Sequence, residues 1–413
     1  MPGFERVDGR LLCEGVPAEE LAGSFGTPLY VYSRDVLTGN YRAYDEAFAP
    51  VPHRICYAVK ANASQALLRI LAAMGAGADI VSGGELRAAL RAGFPADRIV
   101  FSGVGKTDEE LALALQSGIG EFNVESEDEI VRLSAAAAAR GTAARITLRV
   151  NPDIDPKSHP YISTGLRENK FGVEIERAPD ILRRGRALPG IEVVGVQSHI
   201  GSQMRDLEPV DGAVAALVGL TQRLIAEGFR LDSIDIGGGL GIDYEGDGAP
   251  HPRDLALRVL PKISGLGLTL LVEPGRSIVG NAGVMLTRVI GLKENRGKRF
   301  VIVDAGMNDL LRPSLYEAYH RVEPAVVRGR ASVNVDVVGP VCESSDFLAL
   351  DRSLEAVSPG DVVVVRDTGA YGFSMTSNYN MRPRPAEVLV EEGRPRIVRR
   401  RETFDDLMAN ELG

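Results

Sequence analysis

Residues 28–280 show a regular alternation of short apolar runs and longer amphipathic segments. Most of the amphipathic segments repeat their apolar positions every three or four residues, as SQALLRILAAMG does, which predicts helices. The apolar runs have the length and composition of strands, and eight can be distinguished: ICYAVK, ADIVS, RIVFSG, EFNVES, ITLRVN, VVGVQSHI, SIDIGGG and LTLLVEPGR. Eight parallel strands covered by helices favour a (β/α)8 barrel of the TIM type. A doubly wound open sheet fits the same alternation and remains the alternative.

The pattern changes near residue 281. Strand-like runs now follow one another with almost no helix between them: VMLTRVIGL, RFVIVDAG, ASVNVDVVG, DVVVVRDTG and AEVLV. They predict a C-terminal all-β domain over residues 281–413, antiparallel and Greek-key-like. Near the other end, FERVDGRLLCEG predicts a hairpin that turns at Asp8-Gly9. We expect residues 1–27 to join the C-terminal sheet and residues 28–280 to form the barrel.

The composition narrows the classes of function. With 413 residues, 45% apolar and 25% charged, the chain has the size of two domains and the balance of a soluble globular protein. A net charge of −9 opposes binding to nucleic acid and anionic membranes, and no apolar run reaches the roughly 20 residues of a membrane helix. The N-terminus lacks a signal-peptide pattern, so we expect a cytoplasmic protein. Three scattered cysteines fit a reducing compartment, and the histidine spacing predicts no metal site.

Residues with unusual chemistry cluster at the ends of the predicted strands. In a closed barrel the carboxyl ends of all strands meet at one rim, where barrel enzymes have their active sites. The residues that would ring this rim are Lys60, Asp79, Arg149, His199, Ser202, Gly237, Gly238, Gly239, Glu273, Gly275 and Arg276. The barrel prediction therefore brings an amine, acids, a histidine and a glycine-rich turn together.

The glycine run after the seventh strand predicts a phosphate site. Without side chains, the backbone N–H groups of Gly237, Gly238 and Gly239 can approach an anion closely. Phosphate sites of such barrels commonly follow strands seven and eight, and Gly275 and Arg276 follow the eighth strand. A tight turn is the other interpretation of the three glycines taken alone.

Lys60 has two interpretations. A lysine at a strand end is commonly solvated, with its alkyl stem along the surface. A desolvated lysine is more readily neutral, and its amine can form a Schiff base with an aldehyde. Beside a phosphate cradle, such an amine indicates pyridoxal 5'-phosphate. Glu273 is then placed to keep the pyridine nitrogen protonated and His199 to stack on the ring, although His199 also fits a core histidine.

Several segments together resemble a known family, the barrel-type, fold type III pyridoxal phosphate-dependent decarboxylases. They are YAVKAN, HIGSQ, DIGGGLGI, EPGRSIVG, CESSDFLA and GAYGFSMTSNYNMRPRPAEV. HPYISTGLRENKFGV and NDLLRPSLYEAYH make the sequence most similar to the diaminopimelate decarboxylases within that group. The resemblance covers the whole chain. It implies a barrel with a C-terminal β domain, a homodimer, and decarboxylation of meso-2,6-diaminopimelate to L-lysine and carbon dioxide, the last step of lysine biosynthesis.

The resemblance also implies a role for each matching position. Lys60 matches the lysine that binds the cofactor aldehyde, His199 the histidine stacked on its ring, and Glu273 the partner of the ring nitrogen. The positions that match phosphate-binding elements are Gly238, Gly239, Gly275 and Arg276. Those that match substrate contacts are Arg276, Arg312, Tyr316, Glu343 and Tyr371, the last also near the cofactor. The positions expected beside the cofactor or its phosphate are Asp79, Arg149 and Ser202.

Three residues of the C-terminal part have a second interpretation. The far end of diaminopimelate carries a carboxylate and an ammonium group, which an arginine and an acid such as Arg312 and Glu343 would recognise. Each of these charges, taken alone, also fits a solvated face of a β domain. Cys342 matches the cysteine that the partner subunit contributes, a candidate donor of the proton to Cα, but it also fits a small buried hydrophobe.

Other functions predict different residues. A decarboxylase of ornithine, arginine or a secondary-metabolite amino acid handles a substrate without a distal carboxylate, which the arginine of RPSLY argues against. A barrel-type racemase usually pairs the ring nitrogen with arginine, and Glu273 argues against it. A non-catalytic cofactor-carrying barrel would have little need for the C-terminal domain or for CESSD.

Overall fold

The computed structural model describes residues 3–154 and 170–412. Contacts divide the chain into two compact units. The barrel unit consists of Asn40–Ile242 and Ala249–Ser277, and the β unit consists of Met1–Gly39, Asp243–Gly248 and Ile278–Gly413. The segment HPYISTGLRENKFGV, which supported the family resemblance, lies largely outside the described residues.

The described residues form strands and helices in the following order. The strands are β1 (Phe4–Val7), β2 (Arg10–Cys13), β3 (Val16–Pro17), β4 (Leu29–Ser33), β5 (His53–Ala58), β6 (Gly77–Ile80), β7 (Ile99–Phe101), β8 (Glu121–Val124), β9 (Ala144–Asn151), β10 (Val173–Glu174), β11 (Ile191–Gln197), β12 (Ser233–Asp235), β13 (Thr269–Val272), β14 (Gly283–Asn295), β15 (Lys298–Val303), β16 (Val322–Pro324), β17 (Ser332–Val338), β18 (Phe347–Glu355), β19 (Val362–Val365), β20 (Ala386–Glu391) and β21 (Arg394–Arg399). The helices are α1 (Ala18–Phe25), α2 (Arg34–Phe48), α3 (Gln65–Ala73), α4 (Gly83–Ala92), α5 (Asp108–Ser117), α6 (Glu127–Ala138), α7 (Ala178–Gly185), α8 (Glu208–Ala226), α9 (Pro252–Ile263), α10 (Arg276–Val279), α11 (Arg312–Tyr316) and α12 (Phe404–Met408). Within this part of the chain, no helix combines the length and apolarity that crossing a bilayer requires.

The barrel unit contains a closed ring of eight parallel strands. The order around the ring is β5-β6-β7-β8-β9-β11-β12-β13, and β13 pairs with β5 to complete it. Each of the eight strands predicted from the apolar runs is present, so the barrel is confirmed and the open sheet is wrong. The two-residue strand β10 adds to β9 outside the ring.

Side-chain caps determine where helices begin after the barrel strands. Ser82 Oγ accepts a hydrogen bond from the backbone N–H of Glu85 at 3.1 Å, at the start of α4. At the start of α5, Thr107 and Glu110 form a reciprocal capping box. The residues at the carboxyl ends of the strands share one rim because all eight strands of the closed ring are parallel.

The β unit is built on a sheet with the order β18-β17-β15-β14-β4-β20-β21, and β19 pairs with both β14 and β16. All five strands predicted after residue 281 are present. The antiparallel expectation is wrong at two places, because β15 pairs in parallel with β17 and β4 pairs in parallel with β20. The parallel pairing of β4 arises because a strand from before the barrel inserts between β14 and β20. All five residues of this strand are buried.

The predicted N-terminal hairpin is present, with β1 paired to β2. Asp8 and Gly9 both have positive φ, 48° and 78°, as a two-residue hairpin turn of this hand requires. The hairpin forms its own three-stranded sheet with β3 instead of extending the large sheet. It contacts the β unit through the hydrogen bond from Leu11 N–H to the Ala325 carbonyl, at 2.8 Å. Contacts also assign β4 to this unit, whereas the sequence placed it in the barrel range.

Candidate active site

Lys60 lies just beyond β5, in the short 3-10 turn Val59–Ala61. Its Nζ donates to Asp79 Oδ2 at 2.6 Å. Asp79 belongs to β6, which pairs with β5. Because Ala58 of β5 lies opposite Asp79, Lys60, two residues further on, lies near the Asp79 side chain. The Asp79 carboxylate is fully buried, whereas 39% of the Lys60 side chain is exposed. A buried acid therefore holds the amine at the rim, which a purely solvated lysine would not require.

Glu273 follows β13 and has a buried carboxyl group. It accepts hydrogen bonds from Asn123 Nδ2 at 2.9 Å and from Gln197 Nε2 at 3.0 Å. Burial raises its pKa well above the ordinary value, and the charges of Asp235 and Asp79 raise it further. Burial also raises the pKa of Asp235, at the end of β12, to about 7. Burial therefore shifts both carboxyl groups toward their protonated forms, and a cationic partner would oppose this shift.

Three of these groups escaped the sequence analysis: Asn123, Gln197 and Asp235. Each is a fully or almost fully buried polar residue inside an apolar strand. The available signal was the presence of polar residues within EFNV, GVQ and SID, which are otherwise apolar segments. Their partners lie far away along the chain, since Asn123 and Glu273 are 150 residues apart. Only closure of the ring brings β8, β11, β12 and β13 into one polar floor.

The polar floor and the Asp79 side chain of β6 contain buried acceptors that no described residue satisfies. They are Asp79 Oδ1, Asn123 Oδ1 and Gln197 Oε1. Leaving a buried polar atom unpaired costs about 1–3 kcal/mol, so natural proteins rarely do so without a reason. The simplest explanation for these unpaired acceptors is a ligand or water molecule that donates hydrogen bonds to them.

The glycine turn after β12 brings three backbone segments very close together. A Cβ atom on Gly238 would lie 2.0 Å from the Glu273 carbonyl oxygen, and one on Gly239 would lie 2.1 Å from the Gly201 carbonyl oxygen. Gly237 and Gly239 also have positive φ. At Gly275, a Cβ would lie 3.1 Å from the methyl groups of neighbouring alanines. Close backbone packing thus explains these glycines in addition to any role in binding an anion.

The N–H groups of Gly237 and Gly238 already have protein partners, and that of Gly237 donates to Asp235 Oδ1 at 2.8 Å. Gly238 N–H donates to His199 Nδ1 at 3.1 Å. This bond requires an unprotonated Nδ1, and it agrees with the lowered pKa of His199, which results from burial and then from the charges of Arg149 and Lys60. His199 is therefore a neutral ring just beyond the end of β11, and the N–H group of Gly238 holds its Nδ1.

The two arginines of the rim have different partners. Arg276 Nη2 donates to Ser202 Oγ at 3.0 Å, which joins two residues predicted near a phosphate. Arg149 Nη1 instead donates to Glu125 Oε1 at 2.9 Å in a buried ion pair. Arg149 also stacks on Phe171, with its guanidinium carbon 4.6 Å from the ring centroid. Its charge is thus largely balanced by the protein itself.

In the β unit, Arg312 begins α11, and its side chain is buried. Its Nη1 donates to Tyr244 Oη at 2.9 Å and lies 2.9 Å from His320 Nε2. Tyr316 ends the same helix. The interpretation of Arg312 as a solvated surface charge is therefore wrong. Tyr244 and His320 were not among the predicted site residues.

Cys342 and Glu343 lie in the loop between β17 and β18, and both are exposed. The interpretation of Cys342 as a small buried hydrophobe is therefore wrong. The loop is firmly held, because Asp346 accepts from the N–H groups of Met307 and Val341, each at 2.6 Å. Ser314 of α11 also donates to the Ser345 carbonyl at 2.5 Å. The aspartate of CESSD is thus the residue that organises the loop.

Tyr371 has a backbone conformation that is unusual for its residue type. Its φ is 56°, in the left-handed region that costs a non-glycine residue energy. Gly369 and Gly372, which flank Ala370 and Tyr371, leave no room for a side chain. A Cβ on Gly372 would lie 2.2 Å from the Thr368 carbonyl oxygen, and one on Gly369 would lie 1.9 Å from that of Val279. The backbone after β19 therefore specifies where the Tyr371 ring is placed.

Comparison with known proteins identifies the family. The profile for the pyridoxal binding domain of pyridoxal-dependent decarboxylases matches residues 34–280. A diaminopimelate decarboxylase from Aquifex aeolicus is 50% identical over 412 residues, which cover 100% of this chain and 98% of that protein. The chain belongs to the diaminopimelate decarboxylase family. Members of this family are pyridoxal phosphate-dependent carboxy-lyases, and this chain is one of them.

Solved structures of the family agree with the fold. A diaminopimelate decarboxylase from Helicobacter pylori complexed with L-lysine superposes with a TM-score of 0.92 at 45% identity and covers 95% of this chain and 98% of its own. The enzyme from M. jannaschii, in co-complex with L-lysine, gives a TM-score of 0.95 at 40% identity, with coverages of 100% and 98%. The predicted barrel with a C-terminal β domain is thereby confirmed.

The residues of the barrel unit fit pyridoxal phosphate. The cofactor requires an amine for its aldehyde, an acid for its ring nitrogen and a backbone that admits a phosphate. Lys60, Glu273 and the glycine turn offer these groups, and the unsatisfied acceptors of the polar floor show that a polar partner is expected there. Once protonated, the ring nitrogen would donate a hydrogen bond that the buried Glu273 carboxylate can accept.

Proposed function

We propose that this enzyme converts meso-2,6-diaminopimelate to L-lysine and carbon dioxide, the last step of lysine biosynthesis. The observation that carries the proposal is the buried Arg312 of RPSLY, in a chain with full-length similarity to diaminopimelate decarboxylases. A buried guanidinium is a selective partner for a carboxylate. Diaminopimelate has a second carboxylate for it, whereas ornithine and arginine do not.

Pyridoxal phosphate, when bound, supplies an aldehyde for amines and a ring that accepts the electrons released when carbon dioxide leaves. Lys60 Nζ is the amine that we propose holds it covalently. Asp79 Oδ2 accepts a hydrogen bond from this nitrogen at 2.6 Å, so we propose that Asp79 orients the amine of Lys60. Glu273, with its raised pKa, carries a proton that it can donate to the pyridine nitrogen and then remain there as the carboxylate.

The remaining groups of the barrel unit orient the cofactor. We propose that the neutral His199 ring packs on the face of the pyridine, and that its bond from Gly238 fixes the plane of the imidazole. The glycines Gly238, Gly239 and Gly275, together with Ser202 and Arg276, form the phosphate side of the site in this proposal. Arg276 Nη2 is held by Ser202 Oγ, which supports a shared position for these two.

The substrate contacts of the β unit follow the same logic. We propose that Arg312 binds the distal carboxylate, Glu343 the distal ammonium group, and Tyr316 and Tyr371 the body of the substrate, with Arg276 beside the reacting end. The left-handed backbone at Tyr371 supports a functional position, since such strain persists where the fold enforces it.

We further propose a homodimer in which each active site receives Cys342 and Glu343 from the partner subunit. Both residues are exposed on a loop that Asp346 holds firmly, which supports their presentation to another chain. Cys342 is then the donor that returns a proton to Cα. The three free cysteines support a reducing cytoplasmic location, which also remains a proposal.

The substrate proposal is tested by measuring carbon dioxide release from meso-diaminopimelate, L-lysine, L-ornithine and L-arginine. We expect turnover of meso-diaminopimelate and at most traces with the other three. The matched variant Arg312→Met should lose most of its activity on the diacid without gaining activity on the monoacids. Comparable turnover of ornithine or arginine by the unaltered enzyme would show that it belongs to the alternative class.

A further inference from the structure

The guanidinium of Arg312 is oriented by two residues that the proposed reaction does not otherwise use. Arg312 Nη1 lies 2.9 Å from Tyr244 Oη and 2.9 Å from His320 Nε2. Because Nη1 carries two hydrogens, both can be used in these contacts. Two anchors on one nitrogen fix the direction of the guanidinium plane. The anchors come from separate segments of the β unit, since Tyr244 precedes α11 in the sequence and His320 follows it.

The hydrogen-bond pattern determines the protonation of His320. Its side chain is fully buried, and its Nδ1 lies 2.8 Å from the Arg366 carbonyl oxygen. A carbonyl oxygen accepts only and an arginine donates only, so Nδ1 carries the hydrogen and Nε2 accepts from Arg312. A doubly protonated ring would instead direct an N–H group at a cation. His320 is thus a neutral acceptor whose orientation the Arg366 backbone determines.

Tyr244 contacts Arg312 in two ways and also supports His320. The Arg312 guanidinium carbon lies 4.9 Å from the centre of the Tyr244 ring, within the range of a cation–π contact. The Tyr244 and His320 rings pack edge to face, with centroids 5.2 Å apart. The three side chains therefore form one packed group, and we call Tyr244 and His320 the arginine clamp.

We propose that the arginine clamp, Tyr244 and His320, sets the specificity of this enzyme for a distal carboxylate by orienting Arg312. The inference rests on the proposed role of Arg312 in binding the distal carboxylate. A bidentate arginine–carboxylate pair requires a defined guanidinium plane. An arginine that is already oriented loses less conformational entropy when the acid binds. Tyr244 and His320 are positioning residues in this view, because they act through Arg312.

The test uses a matched pair of substitutions at His320. An asparagine amide can take the place of Nδ1, so His320→Asn keeps a donor for the Arg366 carbonyl and loses the acceptor for Arg312. A glutamine amide reaches the position of Nε2, so His320→Gln offers an oxygen to Arg312. The probe is L-lysine, the product, which retains the distal carboxylate. Its control is 1,5-diaminopentane, which has the same amines and no carboxylate.

Binding of both probes to the holoenzyme is measured by isothermal titration calorimetry. We expect His320→Asn to weaken L-lysine binding about tenfold, which corresponds to about 1.4 kcal/mol, and His320→Gln to stay within about threefold of the unaltered enzyme. Binding of 1,5-diaminopentane should be unchanged in both. In turnover of meso-diaminopimelate, His320→Asn should raise KM more than it lowers kcat.

A second variant, Tyr244→Phe, keeps the aromatic ring and removes one anchor, so the test stands even if His320→Asn fails to fold. It should weaken L-lysine binding several-fold and leave 1,5-diaminopentane unaffected. Equal weakening of both probes would mean general damage and would overturn the proposal. Unchanged L-lysine binding in Tyr244→Phe and His320→Asn, with a clear loss in Arg312→Met, would also overturn it.

Failure of the proposed function can be distinguished from failure of the arginine clamp. If the unaltered enzyme releases no carbon dioxide from meso-diaminopimelate, the reaction is wrong, and the calorimetric comparison still reports on the clamp. If Arg312→Met binds L-lysine normally while the unaltered enzyme decarboxylates meso-diaminopimelate, the reaction stands. In that case Arg312 does not bind the carboxylate, and the arginine clamp loses its role.

Discussion

The barrel unit and the β unit place their candidate residues by different physical means. In the barrel unit, Lys60, Asp79 and Glu273 stand at or beside the carboxyl ends of parallel strands, so closure of the ring brings them together. In the β unit, Arg312 begins a five-residue helix and Cys342 lies in a loop, and specific side chains such as Asp346 hold that loop. The barrel site is thus a consequence of topology, whereas the β-unit site depends on particular anchors.

The electrostatics of the two units differ in the same way. The barrel unit buries several acids close to one another, and burial raises the pKa values of Glu273 and Asp235. The β unit buries the cation of Arg312 in contact with Tyr244 and His320. The first arrangement suits proton exchange with a ring nitrogen, and the second suits recognition of an anion. Substitutions in the two units should therefore affect different steps.

The largest effect is expected at Lys60. Lys60→Ala should lower kcat by at least about a thousandfold, because it removes the amine that we propose holds the cofactor covalently. In the unaltered enzyme, borohydride reduction followed by peptide mapping should locate the pyridoxyl label on Lys60. The exposed Lys298→Ala is the control and should retain full activity. A label on a different lysine would contradict the assignment.

The next prediction tests whether Cys342 contributes to the active site of its own subunit or to that of the partner subunit. Lys60→Ala and Cys342→Ala chains are each expected to be nearly inactive. Refolded together in equal amounts, they should regain up to about a quarter of the unaltered activity, because half of the dimers are mixed and each has one intact site. Mixed dimers that form, by mass spectrometry, and remain inactive would exclude sharing across subunits.

A smaller effect separates the two acids of the polar floor. Glu273→Gln cannot form an ion pair with a protonated ring nitrogen and should lower kcat by about a hundredfold or more, with a shifted cofactor absorbance. Asp235→Asn keeps a neutral side chain that can accept from Gly237 N–H, so it should lower kcat by less than about tenfold. Equal losses in both variants would mean that Asp235 has a role as direct as that of Glu273.

The smallest effect is a pH dependence of stability in the cofactor-free protein. Asp235 has a pKa of about 7 when folded against an ordinary value near 3.8. Between these values the folded protein keeps a proton that the unfolded chain releases, so its stability falls as pH rises, by up to about 1.4 kcal/mol per pH unit. Asp235→Asn should flatten this slope between pH 4 and 7.

Urea unfolding of the cofactor-free protein at several pH values measures the slope directly. The unaltered protein and Asp235→Asn share every other titrating group, so their difference reports on this acid and on its coupling to Glu273. An identical slope in the two proteins would show that Asp235 is ionised in the fold, with its charge balanced by its neighbours.

Much of the barrel could be predicted from the sequence, because the fold repeats a simple pattern. Alternating apolar runs and helical segments sufficed to predict the eight strands, and the positions of Lys60, His199 and Glu273 just beyond strand ends could be predicted with them. The polar floor could not be predicted, since Asn123 and Gln197 resemble ordinary strand residues until the ring closes. In the β unit, the parallel insertion of β4 was missed because an apolar run does not specify its partner strands.

The sequence by itself determined which chemistry is available: a lysine after one strand, glycines that allow close backbone contact, an acid after another strand, and an arginine at the start of a short helix. Local patterns suffice for this, since apolar periodicity and turn residues act over a few positions. Only the tertiary structure decided the state of each group. Asp79 anchors Lys60, His199 stays neutral, and Tyr244 and His320 orient Arg312. Partners that lie far apart along the chain meet only when the sheet pairs, and their burial then determines which proton each one keeps.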